Sequence, residues 1–306
     1  MGRDARLVDP AAPGFPLAPQ GSGALPSGPM LDRELVEAVK LAREAGEILR
    51  EIYATDFTVR DKAASGAESD PVTEADTRVN AFLVGRLHDT FPADTIVAEE
   101  SANDPKGGAS RCWYVDPLDG TKEFIAKNGE FSVMIGLAVD GEARLGVVYQ
   151  PTTGKLYRGV VGDGAFYEVG DKTFQLKVSD VADPAKLRLV VSRSHRPAGT
   201  DELKAALGLA TEIPCGSVGL KVGLIAERKA DLYVHFSDKT HAWDACAPDA
   251  ILRAAGGTFV DLTGRSIEYT GADVQNRKGL LATNRKSYEK VLGVITELAQ
   301  KHGVAG

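Results

Sequence analysis

The chain is short of several features that would point to particular functions. It has three cysteines in 306 residues, Cys112, Cys215 and Cys246, and none stands at metal-ligand spacing from another. Three thiols cannot all pair, so a disulfide-stapled fold is not expected. Buried, reduced thiols in a reducing compartment are expected instead. Lys and Arg number 36 against 43 Asp and Glu, a net charge of −7 with no basic stripe, which argues against a nucleic-acid polymer as partner. No apolar run reaches membrane length, so no transmembrane segment is expected. These absences together favour a cytoplasmic protein, with peripheral membrane association left open. A small anionic substrate is compatible with the acidic balance if a metal ion supplies the positive charge.

What is present is a globular sequence, 43% hydrophobic, long enough for one large or two ordinary domains. Residues 1–29 differ from the rest: they are dense in Pro and Gly and poor in large apolar side chains. They read as a disordered extension or an appended leader, with Met30 as an alternative start. Asp183-Pro184 marks a boundary, giving an N-terminal α+β half over 30–183 and a C-terminal α/β half over 184–306. Apolar residues at helical spacing predict a helix over 32–53 and another from Thr73 to about Asp89, the latter opened by a Thr73/Asp76 capping box. The polar segment 54–70 reads as a mobile loop. Strands are predicted at 95–98, 112–116 and 155–161, and a hairpin at 131–139 and 143–150 around Asp140-Gly141. Strands and helices then alternate: strands at 187–192, 211–214, 230–235, 257–261 and near 280, helices at 201–208, 217–228, 244–255 and 287–301. That alternation predicts sheets covered by helical layers.

The stretch Arg111–Phe124 concentrates the chemistry. An apolar run ends in Asp116-Pro117-Leu118-Asp119-Gly120-Thr121. Asp-Gly-Thr after a strand is turn chemistry leading into a helix start, and Pro117 stiffens the segment between the two acids. Carboxylates bunched in this way repel one another unless a hard cation lies between them, and oxygen ligands suit Mg²⁺ or Mn²⁺. Further acids stand at other element ends: Glu99 and Glu100 after the strand at 95–98, Asp244 at a helix start, and Asp76 in the first turn of an early helix. Asp76 is explained by capping alone or by a role at a metal site. His88, His235, His241 and His302 show no paired metal spacing, and Trp243 reads as core packing.

Four segments, Val72–Asp76, Ala98–Ser101, Asp116–Thr121 and Trp243–Pro248, occur in the order found in the inositol monophosphatase superfamily, which the chain resembles over about residues 30–300. The continuation Lys122-Glu123-Phe124, with Asn128–Val133, is similar to the CysQ-like 3'(2'),5'-bisphosphate nucleotidases of that superfamily. The resemblance implies a layered α/β/α/β/α sandwich of the inositol monophosphatase and fructose-1,6-bisphosphatase type. It also implies hydrolysis of the 3'-phosphate of 3'-phosphoadenosine 5'-phosphate to AMP, with inositol or sugar phosphates as the alternative substrates. Lithium sensitivity and a homodimer belong to the same expectation.

By the same resemblance, two or three Mg²⁺ would be held by Glu99, Asp116, Asp119, Asp244 and the Leu118 carbonyl. Gly120 and Thr121 would present N–H groups to phosphate, and Thr121 and Glu99 would orient and deprotonate the attacking water, with Asp76 in support. His195, in Ser192-Arg193-Ser194-His195, and Ser217 and Lys221 would face the nucleotide. The chain departs from many relatives at Arg228, where they carry Gly, and over His235–His241. The Asp-x-Asp-Gly-Thr pattern of haloacid-dehalogenase phosphatases is excluded, because two residues separate the acids here and position 117 is Pro.

Overall fold

The computed structural model describes residues 31–61, 71–101, 110–194, 196, 198–270 and 273–304. The extension assigned to 1–29 and the candidate His195 lie outside the described residues. In chain order the elements are α1 (Asp32–Tyr53), β1 (Val59–Asp61), β2 (Pro71–Thr73), α2 (Glu74–Thr90), β3 (Thr95–Ala98), β4 (Arg111–Asp119), α3 (Thr121–Ile125), β5 (Ser132–Val139) and β6 (Glu142–Gln150). There follow β7 (Lys155–Val160), β8 (Gly164–Val169), β9 (Lys172–Leu176), β10 (Arg188–Ser192), α4 (Thr200–Leu207), β11 (Thr211–Cys215) and α5 (Val218–Ala226). The chain continues through β12 (Leu232–His235), α6 (Ala242–Ala254), β13 (Gly257–Val260), β14 (Leu280–Asn284) and α7 (Tyr288–Lys301).

Local chemistry explains the elements. Along α1 the buried residues Ala38, Leu41, Ala42, Ala45, Leu49 and Ile52 form one stripe at three- and four-residue spacing. The Thr73/Asp76 capping box is formed as expected at the start of α2. Asp140 and Gly141 both take positive φ, 52° and 79°, which matches a two-residue turn to the strand twist and closes the β5–β6 hairpin. Two expectations are revised. Within the segment 54–70, Val59–Asp61 is a strand that pairs antiparallel with Pro71–Thr73, and residues 62–70 lie outside the described residues. The hairpin β8–β9 was not foreseen, because Gly162, Gly164 and Gly170 break its alternation into pieces too short to read.

The strands form a seven-stranded sheet, β3 to β9 in sequence order, and a five-stranded sheet ordered β11-β10-β12-β14-β13. The first is antiparallel apart from the β3–β4 pair. The second mixes parallel pairs around β10 with antiparallel pairs around β14. Helices α1 and α2 bury their stripes on one face of the large sheet, against Trp113, Val115, Ile135 and Val147. Each such fully buried Leu or Ile contributes ~1.5–3 kcal/mol. The other face meets α5 and α6, whose far side packs on Val190, Tyr233, Phe259 and Ala282 of the small sheet. Helices α4 and α7 close the outer face of the small sheet through Leu203, Leu207, Val291 and Ile295. The order is α/β/α/β/α.

The middle layer positions the chemistry. Gly136 of β5 and Gly146 of β6 are register partners. A Cβ on Gly146 would lie 2.1 Å from the Ala247 carbonyl oxygen, and one on Gly136 would lie 2.7 Å from the Ala247 amide nitrogen. The paired glycines form a trough, and α6 lies in it with backbone against backbone.

Candidate active site

On a regular strand, residues three apart face opposite sides of the sheet. Asp116 pairs with Met134 and Asp119 with Ser132, so three steps on β4 match two on β5. This one-residue bulge brings Asp119 back to the face that carries Asp116. Pro117 lies within the bulge, where no ladder amide is required. The strand therefore runs on to Asp119 rather than ending at 116, and its last residues are part of the site.

Asp244 enters from α6, where it is the third residue of the helix and closes a capping box by accepting the His241 amide on Oδ2 at 2.6 Å. Asp116 accepts the Leu118 amide on Oδ1 at 3.0 Å. Asp119 accepts the Ser217 hydroxyl at 2.5 Å and the Gly219 amide at 2.9 Å, both on Oδ2. In each case these bonds fall on one carboxylate oxygen and leave the second as a potential ligand. One ligand oxygen from each of Asp116, Asp119 and Asp244 lies within 4.8 Å of the others. This is the group among the described residues able to hold a metal ion.

Burial and mutual repulsion act on all three acids. Burial, with the charges of Glu99, Asp119 and Asp244, holds the Asp116 carboxyl well above the usual range. Burial, then Asp119 and Glu99, does the same to Asp244. Asp119 is raised by burial, while the Lys221 ammonium and the Ser217 hydroxyl oppose the rise. Glu99, on the short 3₁₀ turn Glu99–Ser101 that follows β3, adds its charge to the repulsion but is not one of the three acids within 4.8 Å of one another. Asn80 of α2 reaches Ser101 of this turn at 3.4 Å. A hard divalent cation would let these carboxylates ionise together, and the donor set, all oxygen and pre-oriented, fits Mg²⁺ or Mn²⁺.

The remaining candidates fall around this centre. The Thr121 hydroxyl at the start of α3 lies 3.2 Å from Asp76 Oδ1 and 3.2 Å from the Leu118 carbonyl oxygen. Asp76 uses its other oxygen, Oδ2, for the Thr73 amide at 2.7 Å and hydroxyl at 2.6 Å. Capping and contact with the site are therefore two ends of one carboxylate. Gly120 has φ +100°, and a Cβ there would sit 3.0 Å from the Glu130 carbonyl oxygen, so this turn requires glycine. Lys221 is 3% exposed, and its ammonium stands 5.4 Å from the Tyr233 ring centroid. It is an internal cation beside Asp119. Ser217 turns its hydroxyl onto Asp119 and lies 3.0 Å from the Ser132 hydroxyl. Trp243 is buried and stacks on His241, with ring centroids 4.5 Å apart.

Gly219, which donates to Asp119, and Ser132 and Glu130, which meet the neighbouring Ser217 hydroxyl and Gly216 amide, were not among the sequence candidates. Ser132 and Glu130 do occur in the Asn128–Val133 segment, so a signal was present without a role attached to it.

Known proteins resemble the chain over most of its length. The profile of the inositol monophosphatase family matches residues 30–300. The chain belongs to the inositol monophosphatase family. The 3'(2'),5'-bisphosphate nucleotidase CysQ of Escherichia coli K12 is 37% identical over 241 residues, which cover 77% of this chain and 94% of that protein. Human inositol monophosphatase 2 is 31% identical over 267 residues, covering 81% of this chain and 87% of that one. Among solved structures, CysQ from Bacteroides thetaiotaomicron, a bacterial member of the family, superposes with a TM-score of 0.69 at 30% identity. That superposition covers 83% of this chain and 97% of the other. The layered fold is thus the family fold, and the chain is a phosphoric monoester hydrolase. Among the described residues, no helix is long and apolar enough to cross a membrane.

Proposed function

We propose that this chain is a Mg²⁺-dependent 3'(2'),5'-bisphosphate nucleotidase that removes the 3'-phosphate of 3'-phosphoadenosine 5'-phosphate, giving AMP and phosphate. The observation that carries the reading is the convergence of Asp116, Asp119 and Asp244 within 4.8 Å. It occurs in a chain 37% identical to a CysQ nucleotidase. Asp116, Asp119, Asp244, Glu99 and the Leu118 carbonyl would hold two or three Mg²⁺. When bound, Mg²⁺ supplies charge neutralisation for the phosphoryl oxygens and makes water more acidic.

The chain's own groups do the rest. Asp76 Oδ1 accepts the Thr121 hydroxyl proton, which leaves the Thr121 oxygen lone pairs to orient the attacking water. Glu99 takes that water's proton. The Gly120 and Thr121 amides donate to the phosphoryl oxygens at the start of α3. Water attacks phosphorus in line with the ester oxygen, the P–O ester bond breaks, and the released 3'-oxygen takes a proton from solvent water, with no phosphoenzyme. The nucleotide-facing role expected of His195 falls outside the described residues, and Ser217 and Lys221 would act through Asp119 at the edge of the metal site.

A second reading, hydrolysis of inositol or sugar phosphates, is favoured by the 31% identity to human inositol monophosphatase 2. It uses the same acids. The ratio of kcat/KM for the adenosine bisphosphate and for inositol monophosphate, measured with Mg²⁺, decides between them. A preference of tenfold or more for inositol phosphate (about 1.4 kcal/mol) reverses the proposal.

A further inference from the structure

Ser217, the N-cap of α5, has φ +56° and ψ 131°. This is a sparsely populated region for a residue bearing a side chain, and such a conformation persists only where its surroundings over-determine it. Its own hydroxyl is anchored on Asp119 and accepts the Leu220 amide at 3.1 Å. The preceding residue is anchored too: the Gly216 amide donates to Glu130 Oε2 at 2.7 Å.

Glu130 is itself gripped. Arg193, just after β10, donates through Nε to Oε2 at 2.6 Å and through Nη2 to Oε1 at 2.7 Å. The same Nη2 donates to the Pro214 carbonyl at 3.0 Å, and the Arg193 amide donates to the Cys215 carbonyl at 3.3 Å. Residues 214–216 are therefore held by Arg193 and by Glu130, and the two side chains hold each other in a planar fork. There is no slack in the contact. A Cβ on Gly216 would lie 2.5 Å from both the Glu130 carbonyl oxygen and Glu123 Cγ, and one on Gly120 would lie 3.0 Å from the same carbonyl. Burial works against ionisation of Glu130, yet the Arg193 guanidinium and the Gly216 amide hold its carboxyl below the usual range.

We infer that Glu130 and Arg193 are positioning residues that lock Ser217 in its strained conformation and so keep Asp119 aimed into the carboxylate cluster. This rests on the proposed metal site and adds a device that tunes it from its rim. The pair is partly open to solvent, with side chains 26% and 40% exposed. A pair so placed adds little to global stability by itself, so its effect is read at the site and not in the melting temperature.

The test uses the full chain and the variants Arg193→Ala, Arg193→Lys and Glu130→Gln. Two readouts are taken. The first is amide hydrogen exchange at Gly216 and Gly219 in EDTA. The second is the Kd for Mg²⁺ by calorimetry, with no substrate present. Arg193→Ala and Glu130→Gln are expected to speed exchange at both amides at least tenfold and to weaken Mg²⁺ binding about fivefold, while Arg193→Lys recovers part of both. Should Arg193→Ala fail to fold, Arg193→Lys and Glu130→Gln carry the test. Exchange and Kd within twofold of wild type in folded variants overturn the inference. A wild-type protein that binds no Mg²⁺ overturns the metal-site reading instead, and the exchange readout still reports on the lock.

Discussion

Asp76 Oδ1 lies 3.2 Å from the Thr121 hydroxyl, although the two residues come from different helices. The α2 capping box fixes the carboxylate, which offers the Thr121 hydroxyl an acceptor at the same distance as the Leu118 carbonyl does. Thr121→Ala is expected to reduce kcat by about 10²–10⁴, the usual range for a lost proton-positioning group, with Mg²⁺ affinity unchanged. Asp76→Asn is expected to reduce kcat and also to destabilise α2 by about 1 kcal/mol through the weakened cap. Steady-state kinetics and thermal melts of both variants check this, and a Thr121→Ala enzyme as active as wild type removes Thr121 from the reaction.

Lys221 is buried where a nucleotide-facing lysine was expected, and its charge bears on Asp119. Lys221→Met is expected to lower the melting temperature in EDTA, because Asp119 loses its counter-charge, and to tighten Mg²⁺ binding, because a competing cation is gone. A raised KM for the nucleotide with unchanged Mg²⁺ affinity would return Lys221 to the substrate surface.

Asp249 of α6 gives a pH dependence separate from the metal site. Its carboxyl is pushed up to about 7 by burial, against the pull of the Arg253 charge and the Tyr269 hydroxyl at 3.0 Å, while Glu142 adds to the rise. Its Oδ1 has no partner among the described residues. In the unfolded chain the same group titrates near 3.9. The native state thus holds a proton that the unfolded state gives up, so this contribution is complete below pH 4 and is lost as pH rises towards about 7. Asp249→Asn, which keeps the shape without the charge, is expected to flatten the fall in melting temperature between about pH 4 and 7. Parallel pH profiles for variant and wild type would contradict the assignment.

The Gly136–Gly146 trough sets the distance between α6 and the large sheet. Gly146→Ala places a methyl 2.1 Å from the Ala247 carbonyl oxygen. Backbone must shift, so the cost is expected at the upper end of the ~1–3 kcal/mol typical of overpacking. Moving α6 also moves Asp244, so Mg²⁺ affinity falls as well. Denaturant melts and calorimetry on Gly146→Ala test both effects, and a variant of native stability and affinity shows the trough to be dispensable.

Much of this arrangement was legible in the residues. The α1 stripe, the α2 cap, the Asp140-Gly141 turn and the four acidic segments are local patterns, each set by chemistry within a few positions. What escaped reading depends on partners far away in the chain. The bulge that turns Asp119 to the side of Asp116 exists only through pairing with β5. The bond from Ser217 to Asp119 joins residues 98 apart, and the Arg193–Glu130 fork joins residues 63 apart. Lys221 was expected to face the nucleotide, and nothing in its neighbours announces that α5 lies between two sheets.

The central claim is that Asp116, Asp119 and Asp244 share a divalent cation. A crystal of the full chain grown with Mn²⁺, measured for anomalous scattering, tests it most directly. The account predicts an anomalous peak between the three carboxylates, with ligand oxygens at about 2 Å. A peak elsewhere, or none with the three side chains splayed apart, would contradict it.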